Sequence, residues 1–221
     1  MSANGMFSLR LSFQVALVVT FFILLAGVPV SYILARKKFR GKELLDALFT
    51  LPLVLPPTVT GYYLIVLLGR NGFFGRPLYN LTGWTAMFTW WAAAAASFVV
   101  SIPLMIRTSR AAIESVDENL VNASYTLGHG ELKTALRVVL PLAKKGIMAG
   151  AVLSFARAIG EFGATLMFAG DIPGKTETMP LAIYNYLENG EWDRARAMAI
   201  ILTVLSVSVI YIANRLSKRI F

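Results

Sequence analysis

Two charged residues interrupt an otherwise apolar stretch, FARAIGEFGATLMFAG, which runs from Phe155 to Gly170. Arg157 and Glu161 are four residues apart, so on a helix they lie on one face and can neutralise each other. A charged side chain at the centre of a membrane helix costs about 2.5–3.5 kcal/mol, so the pair is expected to face other helices rather than lipid. The pattern predicts a structural lock between helices, an element that lines or gates a polar path, or a direct substrate contact.

Few other residues in the chain could carry metal or nucleophile chemistry. There is no cysteine and one histidine, His129, so we expect no thiol catalysis and no Cys- or His-based metal site. The stretch AGDIPGKT, residues 169–176, fits a relaxed phosphate-loop pattern, but it follows an apolar segment instead of a buried strand, and Pro180 comes soon after. The sequence therefore predicts a chain that is not an enzyme, with no catalytic residue, no metal and no bound cofactor.

The elements that must position the charged pair are long apolar segments. Hydrophobic residues make up 57% of the 221 residues and charged residues 15%, whereas soluble domains carry about a quarter charged residues. A bilayer core takes about 17–25 residues of helix, and segments of about this length lie at 11–35, 44–68, 84–106, 146–169 and 197–213. Lipid admits only helices or closed barrels, and these segments are too long for barrel strands. The sequence predicts an all-α membrane protein, a single-domain polytopic bundle (1–221) of about five transmembrane helices.

Basic residues are concentrated at the ends of the apolar segments. If the stretch RKKFRGK, residues 36–42, is cytoplasmic, most of the 21 Lys and Arg residues fall on the cytoplasmic side, as the positive-inside rule requires. This topology places the N-terminus outside and the C-terminus inside, with a cytoplasmic loop at about 107–145. Because topology accounts for the net charge of +9, we expect no nucleic acid partner.

The second apolar segment contains residues that break helices. Its stretch LPLVLPPTVTGYYL holds three prolines, including the adjacent Pro56 and Pro57. Each proline removes a backbone donor and bends or breaks a helix, which membranes tolerate where neighbours or a water-filled path satisfy the backbone. We therefore name Pro56 and Pro57, together with Arg157 and Glu161, as candidates for a translocation path or gate. For the prolines, the alternative is a kink that only shapes packing.

The predicted cytoplasmic loop contains a polar stretch, NASYTLGHGELKTALRVVLPLAK, at residues 122–144. Its residues of interest, in chain order, are Asn122, Ala123, Ser124, Gly128, Val138, Leu140 and Pro141. Their spacing resembles the loop shared by permease subunits of ABC importers, which reads E-A-A, three residues, G, nine residues, I, one residue, L-P. Asn122 stands in place of the first Glu, and Ser124 in place of the second Ala.

This resemblance implies a role for the loop in coupling. In the family, the loop forms a coupling helix that docks into a separate ATP-binding subunit, so ATP and Mg belong to that partner. In this chain, VDENLVNASYTL is expected to form a short helix, and Gly128 allows a left-handed turn at its end. The alternative is an interfacial amphipathic helix that has no partner.

Three further stretches extend the resemblance over about residues 11–216: LPLVLPPTVTGYYL, TWWAAAAASFVVSIPLMIRTSRAAIESVD and FARAIGEFGATLMFAGDIPGKTETMPLAIY. They look like the molybdate-type permeases, with sulfate-type permeases as the nearest relatives. The resemblance implies a multi-pass subunit of the cell (inner) membrane that forms the oxyanion path of an ATP-driven molybdate importer and receives the oxyanion from an external binding protein. One coupling loop per chain, with two ATP-binding subunits per transporter, implies a homodimer. The alternatives are a tungstate or sulfate permease, an ATP-independent anion channel or secondary carrier, and a membrane scaffold that transports nothing.

Overall fold

The structure, a computed structural model, describes the backbone of residues 3–219 and the side chains of residues 4–211 and of Arg215. Within that backbone range there are helices and no strand. The helices are α1 (Ala3–Arg36), α2 (Lys42–Val54), α3 (Pro57–Leu68), α4 (Gly75–Thr82), α5 (Trp90–Glu114), α6 (Glu118–Thr126), α7 (Glu131–Thr134), a π-helix (Ala135–Val139), α8 (Leu140–Ile159), α9 (Gly163–Ala169), α10 (Met179–Glu188) and α11 (Trp192–Arg219).

In the part of the chain that the structure describes, four helical stretches are long and apolar enough to cross a membrane: Asn4–Arg36, Trp90–Glu114, Glu131–Ile159 and Trp192–Tyr211. Helices α2 and α3 form a further pair, bent by 118° at a short break, which makes a fifth span if the pair is counted as one. The predicted all-α membrane bundle of about five helices is therefore confirmed.

The helices and the predicted apolar segments differ at their ends. Helix α1 begins before segment 11–35, and α11 begins before segment 197–213. In segment 84–106, residues 84–89 precede α5, whose N-terminus is capped by the Thr89 hydroxyl; this oxygen accepts a hydrogen bond from the N–H of Ala92 at 3.4 Å. Hydropathy marks only the apolar part of a helix, whereas the helix itself extends to a capping residue or into polar flanks.

Both segments that contain helix breakers are divided. Between α2 and α3, Leu55 and Pro56 are extended, with ψ angles of 141° and 137°, because a residue that precedes proline is disfavoured in the helical region. The predicted segment 146–169 is also interrupted: α8 ends at Ile159, and α9 begins at Gly163. In the other direction α8 is continuous with the π-helix and α7, so one helical stretch of 29 residues runs from Glu131 to Ile159.

Helix α5 lies at the centre of the bundle, with α1 and α8 packed against it on two sides. Met105 is fully buried between two glycines. A Cβ added to Gly27 of α1 would lie 2.9 Å from Met105 Cγ, and one added to Gly150 of α8 would lie 2.9 Å from Met105 Sδ. Small residues at these positions let the helix backbones approach closely, and this packing fixes the position of α8, which carries Arg157.

Candidate functional site

Glu161 lies in the break between α8 and α9 and is hydrogen-bonded on both carboxylate oxygens. Its Oε2 is 2.7 Å from Nη2 of Arg157, with the Glu161 side chain 1% exposed and the Arg157 side chain 30% exposed. Its Oε1 accepts a hydrogen bond of 2.7 Å from the N–H of Ala164, in the first turn of α9. The carboxylate thus joins the end of α8 to the start of α9, and the pair faces the bundle, as a paired charge in a membrane protein should.

The breaks in the second and fourth apolar segments pack against each other. A Cβ added to Gly163, at the start of α9, would lie 3.0 Å from Pro57 Cβ and 3.4 Å from the backbone nitrogen of Thr58. One turn further along, a Cβ on Gly61 of α3 would lie 3.0 Å from Ala164 Cα. Pro56 and Pro57 therefore lie on the neighbouring break, next to the helix that Glu161 caps. The structure brings these candidate path residues into one region of the bundle.

Buried hydroxyl groups occur on the helices around these breaks. Thr60 of α3, Ser101 of α5 and Thr165 of α9 are buried, and their hydroxyl oxygens have no hydrogen-bond partner in the described part of the chain. The Ser154 hydroxyl of α8 donates to the carbonyl of Ser101 at 3.2 Å. None of these residues was predicted, because isolated Ser and Thr residues in an apolar segment carry no spacing signal.

The polar loop contains a short helix followed by a glycine turn. At the start of α6, the Asp117 carboxylate accepts a hydrogen bond from the N–H of Asn119 at 2.9 Å, which caps the helix. After the helix, Gly128 has a φ of +78°, the left-handed conformation that the sequence predicted. Its N–H donates to the carbonyl of Tyr125 at 2.9 Å, which ends the helix and reverses the chain towards α7.

Ser124 connects the two sides of this turn. Its hydroxyl oxygen lies 3.2 Å from His129 Nδ1 and 2.9 Å from the Thr134 hydroxyl, and both hydroxyl-bearing residues are buried. A second alanine, usual at this position in the resembled motif, could make neither contact. His129 and Thr134 were not predicted as site residues, since their partner becomes apparent only once the turn is folded.

The loop exposes an apolar surface, which we call the loop patch. It consists of exposed leucines that lie outside the predicted apolar segments. Leu127 and Leu132 have the most exposed side chains, at 77% and 73%. The members are Leu120, Leu127, Leu132, Leu136 and Leu142. Beside it is a groove of about 400 Å³ whose lining includes Ala123, Ser124, Val138 and Pro141. An exposed apolar patch of this kind marks a contact with another protein or with the membrane.

The other motif residues have different surroundings. Leu140 packs into a small core beneath the loop. Asn122 lines a polar pocket together with Arg36 at the end of α1. There, the Arg36 guanidinium donates from Nη2 to the carbonyls of Ile113 and Val116 at 2.8 and 3.0 Å. These carbonyls lie at the junction of α5 and α6, so Arg36 attaches the end of α1 to the start of the loop.

The π-helix contains Val138 of the motif and ends directly before Leu140 and Pro141, which begin α8. The N–H of Leu140 donates to the carbonyl of Ala135, five residues earlier, and Pro141 has no N–H with which to continue the regular ladder. Single π turns inside α-helices are frequent at functional sites. Because the stretch from Glu131 to Ile159 is otherwise one helix, the loop patch and Arg157 lie near opposite ends of the same rod.

The loop between α9 and α10 folds around buried polar side chains. The Thr176 hydroxyl donates to the carbonyl of Gly170 at 3.1 Å. The Glu177 carboxylate accepts hydrogen bonds from the Ser8 hydroxyl at 2.8 Å and from Asn185 Nδ2 at 3.0 Å. The contacts of Glu177 attach the loop to α1 and α10. The hydroxyl of Thr176, the last residue of the phosphate-loop-like stretch, makes its hydrogen bond within the loop itself.

Asp171 in this loop yields a pH-dependent prediction. Burial raises the pKa of Asp171, a hydrogen bond from Asn185 partly lowers it, and the charge of Glu177 raises it further. A raised carboxyl pKa means that the fold favours the protonated form, so stability is greatest below the unfolded pKa and falls as the pH rises through the folded pKa. We expect Asp171→Asn to raise the melting temperature at neutral pH by about 1–3 °C and this gain to shrink as the pH is lowered.

The measurement is thermal unfolding of the purified protein across a pH series. Asp193→Asn is the matched control, because the Asp193 side chain is 97% exposed and its replacement should leave the melting temperature unchanged at every pH. A lower melting temperature for Asp171→Asn at neutral pH would contradict the assignment of an unfavourable buried charge.

The chain resembles known transport proteins along its length. The family described as "Binding-protein-dependent transport system inner membrane component" matches residues 27–221. The molybdenum transport system permease protein ModB of Escherichia coli (strain K12) is 44% identical over 202 residues, covering 90% of this chain and 88% of that protein. ModB of Haemophilus influenzae is 40% identical over 213 residues, covering 96% of this chain and 93% of that protein.

More distant proteins share the fold. The sulfate transport system permease protein CysT of Salmonella typhimurium is 35% identical over 210 residues, covering 95% of this chain and 76% of that protein. Among solved structures, a chain of the MetNI methionine ABC transporter in an inward-facing conformation matches with a TM-score of 0.77 at 18% identity, covering 100% of both chains. With a family match from residue 27 to residue 221 and relatives of this similarity, the chain belongs to the inner-membrane components of binding-protein-dependent transport systems.

Proposed function

We propose that this chain is the permease subunit of an ATP-driven molybdate importer and that it forms the oxyanion path. The assignment of molybdate as the substrate rests on the 44% identity to a molybdenum permease over 90% of this chain, compared with 35% identity to a sulfate permease over a similar length. Tungstate, an oxyanion of the same shape and charge, belongs to the same substrate class. The chain itself performs no ATP chemistry, which belongs to a separate subunit.

The partner for the loop patch is the ATP-binding subunit. Leu120 and Leu127 precede the membrane-crossing stretch that begins at Glu131, so this part of the patch is suited to a covering protein. The motif residues Ala123, Ser124, Val138 and Pro141 line the adjoining groove. Each chain offers one such loop, so two chains related by a twofold axis present two docking sites to two ATP-binding subunits. An oxyanion-binding protein delivers the substrate on the opposite, external side.

Coupling follows from the rigidity of the helix that leaves the loop. The 29 residues from Glu131 to Ile159 span about 43 Å at 1.5 Å per residue, which is longer than the hydrocarbon core. When closure of the ATP-binding subunits moves the loop, this rod carries the movement to Arg157 and to the break that Glu161 caps. Arg36, bonded to the carbonyls of Ile113 and Val116, makes α1 follow the same movement.

The path lies between two copies of the chain, with the N-terminus outside and the C-terminus inside. The breaks at Pro56–Pro57 and at Glu161 are the candidate gate, because broken membrane helices pivot where their backbone ladder is interrupted. Arg157 is more exposed than Glu161. Its positive charge neutralises the Glu161 carboxylate, so that the carboxylate does not repel an oxyanion passing through the path.

The test is uptake of radioactive molybdate by proteoliposomes that contain the permease, its ATP-binding subunit and its binding protein. We expect uptake to require ATP and all three components, and excess tungstate to compete while excess sulfate does not. Uptake without the ATP-binding subunit would instead establish a channel or secondary carrier. Equal competition by sulfate would reassign the chain to the sulfate permeases.

A further inference from the structure

The turn between α1 and α2 contains basic side chains that are not paired with any other described part of the protein. Five of the seven residues from Arg36 to Lys42 are basic. Arg36 bonds to backbone carbonyls, and Lys37 pairs with Glu131 at 2.6 Å. The other three basic side chains, at Lys38, Arg40 and Lys42, have neither a hydrogen bond nor an ion pair with any described residue. These three cationic side chains are thus available to bind an anion from outside the protein, such as a ligand.

Apolar side chains lie beside these cations. Phe39 is 42% exposed and Leu44 is 72% exposed. Together with Lys38, Gly41, Lys42 and Glu43 they line an open cavity of about 480 Å³. Glu43 is the one carboxylate in the lining, so the cavity and the adjoining Arg40 keep a net positive charge. A site that combines ammonium groups with exposed apolar side chains fits a ligand that has an anionic end and an apolar end.

An apolar stripe leads away from the cavity along α2. Leu44, Leu48 and Leu51 follow the i, i+4, i+7 spacing of one helix face, and all three are largely exposed. Helix α2 has no buried residue along its whole described length. The stripe therefore provides an extended hydrocarbon surface that begins at the basic turn and continues along the direction of the second span.

The turn lies at the depth of the lipid headgroups. Helix α1 crosses the membrane as an apolar helix of 33 residues from Asn4 to Arg36, which at 1.5 Å per residue is about 50 Å long and exceeds the hydrocarbon core of about 30 Å. Its apolar run continues to Ala35, so the basic residues that follow begin where the hydrocarbon core ends, in the interfacial layer. Clusters of basic residues at this position attract anionic lipids.

We infer that this turn binds one anionic phospholipid. The lipid phosphate lies among Lys38, Arg40 and Lys42, and one acyl chain follows the leucine stripe of α2. Because Arg36 and Lys37 of the same turn attach to the loop junction and to Glu131, an occupied site steadies the base of the loop patch. Lipid binding depends only on the fold in the membrane, whereas this effect on coupling rests on the proposed function.

The experiment measures lipid binding by the permease alone, so a failure of the transport proposal leaves it unaffected. Purified permease is equilibrated with mixed micelles of detergent, phosphatidylglycerol and phosphatidylcholine, and the bound lipid is counted by native mass spectrometry. We expect preferential retention of phosphatidylglycerol and at least roughly tenfold weaker retention in the triple variant Lys38→Gln/Arg40→Gln/Lys42→Gln, since each cation near an anionic lipid contributes several-fold.

The matched control removes the same charge elsewhere. The triple variant Arg10→Gln/Arg76→Gln/Lys175→Gln changes three exposed cations far along the chain from the turn, and it should retain phosphatidylglycerol as the unmodified protein does. Equal losses in both triple variants would overturn the site in favour of general charge attraction. Equal retention of phosphatidylcholine, or displacement of the lipid by inorganic phosphate, would overturn the anionic phospholipid as ligand.

A second variant tests the acyl track. Leu48→Asn places a polar group in the middle of the stripe, and we expect it to weaken phosphatidylglycerol retention while the protein stays dimeric by mass. If Leu48→Asn instead converts a dimer to a monomer and leaves lipid retention unchanged, the stripe is a subunit interface and the inference fails.

Discussion

Replacing Glu161 with leucine is expected to destabilise the permease strongly, because the substitution breaks a buried ion pair. The change leaves Arg157 without its partner inside the bundle and removes the acceptor for the N–H of Ala164. Removing one partner of a buried ion pair costs about 3–5 kcal/mol, and the partial exposure of Arg157 places this case near about 3 kcal/mol. Thermal unfolding in detergent should therefore show a fall of about 10 °C.

Two further variants separate the parts of this effect. Glu161→Gln keeps one of the two acceptor oxygens, so it can accept from Ala164 or from Arg157 but not from both in the present geometry. Its loss of stability should therefore be smaller than that of Glu161→Leu. The double variant Arg157→Leu/Glu161→Leu removes both charges and should lose less than the sum of the two single variants, because no unpaired charge remains. Full additivity in this cycle would mean that the 2.7 Å contact contributes no coupling energy.

A matched surface pair serves as the control. Glu191 and Arg194 form an i, i+3 ion pair whose side chains are 40% and 61% exposed, and pairs of this kind contribute about 0–1 kcal/mol. Glu191→Leu should therefore leave the melting temperature nearly unchanged. Uptake by Glu161→Gln then distinguishes the two interpretations of the buried pair: retained uptake favours a structural lock, and lost uptake in a folded protein favours a gate.

The membrane helices could be predicted from the sequence because hydropathy over about 20 residues is a strong signal in lipid. The bend in the second segment was also predictable, since Pro56 and Pro57 act through local chemistry. The break after Ile159 was not predicted. Gly160 lies four residues after Ala156, a spacing that indicates close packing of a continuous helix rather than its end. The role of the Glu161 carboxylate in stabilising the break becomes apparent only from its hydrogen bond with the N–H of Ala164.

In the loop, local features were predictable and distant contacts were not. The motif spacing and Gly128 predicted a short helix that ends in a left-handed turn, as the structure has it. The contact of Ser124 with His129 depends on that turn being closed. The bonds of Arg36 join residues that are 77 and 80 positions apart, and a periodic pattern in one segment carries no information about such a partner.

Gly128→Trp is expected to abolish ATP-dependent uptake in a protein that remains folded in the membrane. Gly128 has a φ of +78°, and apart from its two chain neighbours no described atom lies within 4 Å of an added Cβ, so the side chain starts in open space. The backbone cost of a left-handed non-glycine residue is about 1–2 kcal/mol, which the fold can tolerate. The indole would instead project beside Leu127 on the loop patch, where the ATP-binding subunit must dock.

The measurements are co-purification of the ATP-binding subunit and molybdate uptake in proteoliposomes, and Gly190→Trp is the matched control. Gly190 has a φ of +74° and equally open surroundings among the described atoms, but it follows α10, away from the loop patch. Gly190→Trp therefore carries the same backbone cost and should retain docking of the ATP-binding subunit. Gly128→Asn tests conformation without bulk, because asparagine adopts the left-handed region readily, and it should keep most of the uptake. Uptake retained by Gly128→Trp would show that the partner does not cover this turn, whereas equal losses of docking at Gly128 and Gly190 would assign the defect to backbone strain alone.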